Sequence, residues 1–225
     1  KLGNGRTAST SVPVQAFGSG LVVAAGLEHS LFVANGQGYA MGLNTEGQLG
    51  STSDQVSCEV TGESGSFPCK TLPRPVAGLA NVVGVSAGWR HSLALKSDGS
   101  VWAWGSGFWG QNGTNATQQT PVRVNGLPED IVRISAGYMH SVALASDGTV
   151  WAWGNGRYGE MGPNSSADSN PVPVPVAGIS DVIDIAAGGG YTLARKADGT
   201  VWAWGINVYG QLGDPALGHA NGLAV

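Results

Sequence analysis

Residues 85–105 have the sequence VSAGWRHSLALKSDGSVWAWG, and this stretch decides the fold because it recurs along the chain. Its copies are ISAGYMHSVALASDGTVWAWG at 134–154 and IAAGGGYTLARKADGTVWAWG at 185–205. A fourth, degraded copy runs from Val23 to Gly42. Self-similarity over this many positions is the signature of a repeat architecture.

The spacing of the copies indicates the kind of repeat. The glycines of the four Ala-Gly pairs are separated by 62, 49 and 51 residues. They are Gly26, Gly88, Gly137 and Gly188. A period of about 50 residues is typical of a β-propeller, whose blades each contain four strands. We therefore predict one all-β domain over residues 1–225, with blade cores near 20–50, 82–113, 131–162 and 182–213.

Each copy contains the signals of a central hairpin and of an outer strand. Asp-Gly pairs lie between apolar runs and favour a type I′ turn, in which both residues have positive φ. The two tryptophans of each Trp-Ala-Trp-Gly project from one face of a strand, while the alanine leaves room on the other face. Pro-Val pairs predict outer strands, because proline cannot donate a ladder hydrogen bond. These pairs are Pro13-Val14, Pro75-Val76, Pro121-Val122 and Pro175-Val176.

The composition fits many short strands joined by tight turns and argues against several classes of function. Glycine occurs 37 times and charged residues make up only 12% of the chain. The net charge of −4, without a cluster of Lys and Arg, argues against DNA or RNA as a partner. No apolar stretch approaches the roughly 20 residues of a membrane-spanning helix, so no membrane insertion is expected.

The only two cysteines, Cys58 and Cys69, lie in an insertion loop at residues 51–72 that lengthens the first repeat interval. Their local spacing favours a loop-closing disulfide, which indicates an oxidising compartment and hence a secreted or cell-surface protein. Reduced thiols in a cytosolic protein are the alternative. A metal site is disfavoured, because two cysteines without a nearby histidine provide too few ligands.

Residues that could carry chemistry have simpler structural interpretations. One histidine stands at the same position of three copies, and Tyr191 replaces it in the fourth, so we expect a hydrogen-bonding element of each blade and no metal site. These histidines are His29, His91 and His140. The aspartates of the Asp-Gly pairs are turn formers. No nucleophile elbow, nucleotide-binding loop or HExxH motif occurs, so we predict no enzymatic activity and no cofactor.

The ordered motifs AGxxHSLAL, DGxVWAWG and GQLG resemble the bacterial-type repeats of the regulator of chromosome condensation family, and the match covers nearly the whole chain. The resemblance implies a propeller, commonly of seven blades, that acts through protein contacts. Nucleotide exchange on a small GTPase and inhibition of a secreted enzyme are examples within the family. The resemblance implies a fold more firmly than a function.

Four blade cores are fewer than seven, and residues 1–16 resemble the trailing half of a blade. Three arrangements are open: a piece of a longer propeller, a closed four-blade ring, and a partial ring that pairs with another copy. In a closed ring, the Pro13-Val14 strand would complete the fourth blade. Arg195 stands where other copies have Leu95 and Leu144, and this charge suggests that the last blade is less enclosed.

Positions that differ between the copies are the candidates for binding. The dipeptide after each Ala-Gly pair and the residues before each GQLG-like turn vary, and we expect them on one rim of the propeller. Trp, Tyr, Arg and Met are enriched at protein interfaces. We therefore predict an interaction site, with local packing as the alternative role of its side chains. The site contains Trp89, Arg90, Tyr138, Met139, Phe108 and Arg157.

Two further sets lie in the same loops. The aromatic residues Trp109, Tyr158 and Tyr209 recur at one position and are expected to be structural. Three Asn-x-Ser/Thr sequons support surface exposure of their segments. They begin at Asn112, Asn115 and Asn164.

The sequence thus predicts a non-enzymatic, extracellular scaffold that binds another protein or a surface glycan through its rim. The alternative is an architectural segment of a larger repeat protein that associates with its own copies as a homo-oligomer. Guanine-nucleotide exchange on a small GTPase is a third hypothesis, which only the family resemblance supports.

Overall fold

The computed structural model describes residues 2–18, 20, 22–59, 65–163 and 168–213 and the backbone of 220–221. All regular elements in this part of the chain are β-strands, and they form four antiparallel sheets, one for each repeat copy. The all-β propeller architecture predicted from the repeat period is confirmed. The described residues contain no helix that could span a membrane.

Seventeen strands build the four blades. Blade 1 contains β1 (Val22–Ala25), β2 (His29–Ala34), β3 (Gln37–Leu43), β4 (Val56–Glu59) and β5 (Ser66–Pro75). Blade 2 contains β6 (Val82–Ala87), β7 (His91–Lys96), β8 (Val101–Gly105) and β9 (Gln118–Arg123). Blade 3 contains β10 (Ile131–Ala136), β11 (His140–Ala145), β12 (Val150–Asn155) and β13 (Ser169–Pro175). Blade 4 contains β14 (Val182–Ala187), β15 (Tyr191–Lys196), β16 (Val201–Ile206) and β17 (Ala220–Asn221).

The segment 51–72, expected to be a loop, forms a hairpin of β4 with the first half of β5. Blade 1 therefore has five strands in the order β1-β2-β3-β5-β4, whereas the other blades have four strands in chain order. The predicted disulfide is confirmed: Cys58 and Cys69 are bonded, with 5.9 Å between their Cα atoms. Cys58 lies in the edge strand β4 and Cys69 lies in β5, so the bond joins β4 to the rest of the blade. Both cysteines are buried.

Replacing both cysteines by serine is expected to destabilise this hairpin locally. Closing an 11-residue loop stabilises by about 3 kcal/mol on chain-entropy grounds, and only β5 holds β4 in the sheet. Amide hydrogen exchange of β4 should therefore accelerate about 100-fold, while β7 and β11 keep their protection. Equal acceleration in all blades would show that the disulfide supports the whole fold.

The central turns are of two kinds, and the predicted type I′ geometry is wrong for the Asp-Gly turns. Gly99 has φ of 79°, but Asp98 is not among the residues with positive φ. Lys96 and Ser100 close a longer turn, whose glycine occupies the left-handed region, and the Asp98 carboxylate accepts hydrogen bonds from Ser100. Only Asn35-Gly36 has positive φ at both residues, 51° and 73°.

Adjacent blades pack through the Trp-Ala-Trp-Gly strands as predicted. Trp102 and Trp104 of β8 face blade 1 and pack on its apolar side chains, while Ala103 belongs to the cluster shared with blade 3. Trp104 is fully buried, and the equivalent tryptophans of blades 3 and 4 are buried to the same extent. Three such clusters, one between each pair of successive blades, form the core.

A chain of hydrogen bonds crosses each blade interface, and it explains the repeated histidine. Nε2 of His91 lies 3.0 Å from Oγ of Ser141 in the next blade. The Ser141 hydroxyl donates to the carbonyl oxygen of Gln111 at 2.8 Å, and Trp153 Nε1 donates to the same oxygen at 2.9 Å. Because the single hydroxyl proton is already donated, the histidine Nε2–H must be the donor to serine.

The other two interfaces repeat the contact between histidine and hydroxyl group. Nε2 of His29 lies 2.9 Å from Ser92 Oγ, and Nε2 of His140 lies 3.0 Å from Thr192 Oγ1. The prediction that these histidines are hydrogen-bonding elements is confirmed, although each one bonds to the next blade and not to its own. Burial lowers the pKa of His29 to about 4, of His91 to about 3 and of His140 to about 4.

The outer strands and the ends of the array differ in part from expectation. Pro121-Val122 lies in the edge strand β9, as predicted, but Pro13-Val14 lies in no strand. The fourth strand of blade 4 is instead β17, paired with β16. Closure of blade 4 onto blade 1 is not seen among the described residues, which form a partial ring.

The outer face of blade 4 is less enclosed, as the charge at position 195 suggested. Val201 is 60% exposed, whereas its equivalents in blades 2 and 3 are buried. Arg195 is exposed and forms an ion pair with Asp184 at 3.7 Å.

Candidate functional site: the turn face

Two sets of connections meet at one end of the blades. In an antiparallel blade, the turn between the first and second strands and the connection between the third and fourth strands leave the sheet at the same end. We call this end the turn face. Its described residues are 26–28, 44–55, 88–90, 106–117, 137–139, 156–163, 188–190 and 207–213.

Glycine is required where the first turns of neighbouring blades approach each other. A Cβ atom on Gly88 would lie 2.2 Å from Cε1 of His91 and 2.5 Å from the carbonyl oxygen of Gly137 in the next blade. The same conflict occurs at Gly26, whose Cβ would lie 2.5 Å from the carbonyl oxygen of Gly88. The Ala-Gly pair therefore recurs because the inner strands converge, and the residue after each pair lines one depression together with the Ala-Gly pairs of all four blades. These residues are Leu27, Trp89, Tyr138 and Gly189.

The residues that follow the Ala-Gly pairs of blades 2 and 3 contact each other. The rings of Trp89 and Tyr138 are stacked, with centroids 4.4 Å apart and an interplanar angle of 8°. The Arg90 guanidinium lies 4.8 Å from the centroid of the Trp89 ring. Arg90 also pairs with Glu46 of blade 1 at 3.5 Å, so side chains of three blades are linked on the turn face.

Beside this stack lies a groove of about 530 Å³, which we call the aromatic groove. Phe108 is an exposed part of its wall, with 78% of its surface accessible, and its ring meets that of Trp109 edge-on with centroids 5.2 Å apart. Blades 1, 2 and 3 all contribute to the lining. The lining residues are Glu46, Trp89, Arg90, Ser106, Phe108, Trp109, Gln111, Asn115, Thr117 and Met139.

Sequence reasoning placed five of the six predicted interface residues together. Four line the aromatic groove directly, and Tyr138 stacks on one of them. Arg157 is outside this group: it does not line the groove, and its guanidinium lies 5.7 Å from the ring of Tyr158. Whether these side chains bind a partner stays a prediction.

Other expectations for these loops need correction. Tyr209, expected to be structural, is 93% exposed. Asn112 is buried, and its amide donates to the carbonyl oxygens of Gly105 and Ala116, so its sequon does not mark an exposed segment. Asn115 is exposed, and Asn164 lies outside the described residues.

Thr117 and Asn115 were not predicted as members of the site. They lie in the long connection of blade 2, which has no counterpart of the same sequence in the other copies. Thr117 Oγ1 lies 3.4 Å from a Glu46 carboxylate oxygen.

The described part of the chain contains no group of three or more His, Cys, Asp or Glu side chains arranged to hold a metal ion.

Comparison with known proteins agrees with the geometry. The RCC1-like domain family matches residues 1–222. HERC6 of Homo sapiens, named a probable E3 ubiquitin-protein ligase, is 34% identical over 216 residues, which are 89% of this chain and 20% of HERC6. The ultraviolet-B receptor UVR8 of Arabidopsis thaliana is 33% identical over 114 residues, which are 48% of this chain and 23% of UVR8.

Solved structures show the same fold. Yeast RCC1 (Prp20), in a crystal structure with Kap60, superimposes with a TM-score of 0.77 and 27% identity, over 94% of this chain and 49% of that one. Human WBSCR16 gives a TM-score of 0.78 at 24% identity, over 92% of this chain and 54% of that one. This chain therefore spans about a fifth of the two curated relatives' length and about half of these solved chains. The family match over residues 1–222 and the four-bladed array together show that the chain belongs to the RCC1-like domain family.

Proposed function

We propose that this protein is a non-enzymatic scaffold that binds another protein through its turn face. The RCC1-like propeller fold supports a role in protein interaction, and the aromatic groove supplies a specific location for it. The observation that carries the proposal is the convergence of Trp89, Arg90, Phe108 and Met139, from separate turns of two blades, on one groove.

The chemistry of the groove fits a partner that inserts an apolar or aromatic side chain. Hot spots of protein interfaces are enriched in Trp, Tyr and Arg and lie in pockets that exclude water. Arg90 is already held by Trp89 and Glu46, so it can donate to a partner's carbonyl or carboxylate group with little further ordering.

The test is a peptide selected from a random library for binding to the wild-type protein. The double variant Trp89→Ala, Tyr138→Ala should bind this peptide about 30-fold or more weakly, because hot-spot truncation costs about 2 kcal/mol or more. Tyr209→Ala is the matched control, since Tyr209 is an exposed aromatic residue of the turn face outside the aromatic groove. Affinity should be measured by fluorescence polarisation. Equal binding by the folded double variant would exclude the groove as the site.

We also propose a secreted or cell-surface location. The Cys58–Cys69 disulfide supports it, because such bonds persist in oxidising compartments. Alkylation of the protein in its source material, followed by mass measurement, tests this location. Modification of both cysteines without prior reduction would contradict it.

Self-association is a second candidate, favoured by the outer face of blade 4. Val201 is 60% exposed there, and an exposed apolar sheet face can pair with another copy. The ion pair of Arg195 and Asp184 on the same face opposes tight apolar contact. Sedimentation velocity over a concentration series distinguishes the two: mass increasing with concentration supports self-association, and a constant monomer mass excludes it.

A further inference from the structure

A second cavity, of about 300 Å³, lies between residues 2–10 and the disulfide-linked hairpin of blade 1. The N-terminal segment is held over β5 by a hydrogen bond from the Gly5 amide to the carbonyl oxygen of Thr71. Cys58 and Cys69 form part of the cavity wall, so the disulfide fixes its shape. None of the described residues that line this cavity lines the aromatic groove.

Lys70 is the unusual residue of this cavity. It lies opposite Gly42 in the β3–β5 ladder, lines the cavity, and is only 3% exposed. Among the residues that the structure describes, no carboxylate lies within ion-pair distance of its amine. Desolvation lowers the pKa of Lys70, although the Asp54 carboxylate acts in the opposite direction. The Lys70 ammonium group is thus partly desolvated and forms no ion pair with a described carboxylate, so an anion that entered the cavity would stabilise it.

The remaining polar groups of the cavity suit an anion. Arg6 is a second cation in the lining, and among the described residues Glu59 is the one carboxylate that lines the cavity, so the described lining has two cations and one anion. Thr7 and Ser9 also line the cavity, and their side chains carry hydroxyl groups that can donate hydrogen bonds. Charged donors with neighbouring hydroxyls are the groups that proteins use to bind carboxylate and phosphate oxygens.

We propose that this cavity binds a small oxyanion, whose negative charge pairs with the Lys70 ammonium and the Arg6 guanidinium. The ligand is a carboxylate, or a tetrahedral anion such as phosphate or sulfate, small enough for a cavity of this volume. The site is independent of the turn face, so its failure would leave the proposed protein-binding function intact.

The experiment is isothermal titration of the wild-type chain with phosphate, sulfate and acetate in turn, at constant ionic strength. Saturable binding of at least one of them is expected, and the anion that binds identifies the tetrahedral or the carboxylate class. Lys70→Met, which keeps most of the apolar stem, should weaken this binding at least tenfold. Lys96→Met is the matched control, because Lys96 lies over the Trp102 ring on blade 2. The affinity of this variant for the anion should equal that of the wild type.

Stability without added anion gives a second readout. Lys70→Met should be at least as stable as the wild type in chloride buffer, because it removes a partly desolvated charge that forms no ion pair with a described residue. Marked destabilisation would show that Lys70 is a structural group and would overturn the proposal. Arg6→Gln lies on the exposed N-terminal segment and cannot disrupt a blade core, so it tests binding even if Lys70→Met fails to fold. Unchanged affinity in Arg6→Gln, or no saturable binding of any of the three anions, would also overturn it.

Discussion

Lowering the pH from 6.5 towards 4 is expected to destabilise the folded protein by several kcal/mol. The interface histidines are neutral when folded, with pKa values of about 4, 3 and 4, whereas the unfolded chain takes up protons near the ordinary value of 6.5. Their contribution is therefore complete above pH 6.5 and is lost as the pH falls towards the folded pKa. Each histidine contributes a slope of about 1 kcal/mol per pH unit in this window.

Urea denaturation at a series of pH values between 7 and 4 measures this slope. His91→Gln should reduce the slope by roughly one third, because one of three titrating interfaces is removed. The aspartates of the Asp-Gly turns act in a separate window: hydrogen bonds lower their pKa below 3.8, so their contribution is lost only at more acid pH. A slope that is unchanged in His91→Gln would show that the interface histidines do not govern acid stability.

Trp153→Ala is expected to lower the free energy of unfolding by about 3–5 kcal/mol, the range for truncating a buried tryptophan. Trp153 is fully buried in the cluster between blades 2 and 3. Its indole N–H donates to the carbonyl oxygen of Gln111, so the substitution also removes a hydrogen bond across the interface. The measurement is the shift of the urea midpoint at pH 7.

Trp151→Ala is the matched control for this prediction. Trp151 lies on the same strand and the same face, two residues earlier, but it is only partly buried. Its indole nitrogen has no hydrogen-bond partner, so truncation breaks no bond across the interface. We expect a clearly smaller loss of stability than for Trp153→Ala. Equal losses would contradict the prediction, because they would mean that neither the full burial of Trp153 nor its hydrogen bond to Gln111 adds to the stability of the interface.

The fold could be predicted because three motifs recur in a fixed order, and each has a local physical cause. The Trp-Ala-Trp-Gly strand alternates large and small side chains, and the structure uses this alternation to fill successive blade interfaces. The turn type could not be predicted from Asp-Gly alone. It depends on the residues that close the hairpin, here Lys96 and Ser100, which set a longer loop.

The insertion shows a second limit of sequence reasoning. Its spacing predicted the disulfide, but the alternation Val56-Ser57-Cys58-Glu59 is short and is flanked by Ser- and Gly-rich stretches, so the segment was interpreted as a loop and not as the strand β4 that pairs with β5. The fourth strand of blade 4 was missed for a similar reason, because residues 220–221 carry no Pro-Val signal.

The turn-face site could be predicted in part. Repeat periodicity assigns a residue to the turn face, and this was sufficient for Trp89 and Phe108. It does not determine in which direction along the rim a side chain points, so Arg157 was grouped with residues that it does not meet. Glu46 and Thr117 meet across two blades, a contact that depends on loop conformation and not on the repeat.

Hydrogen-exchange mass spectrometry of the protein with its selected peptide tests the central claim most directly. We predict protection of the amides in 88–90, 106–109 and 137–139, which surround the aromatic groove. The hairpin turns at 97–100 and 146–149, at the opposite end of the same blades, should exchange as in the free protein. Protection of those hairpin turns, with none on the turn face, would contradict the account.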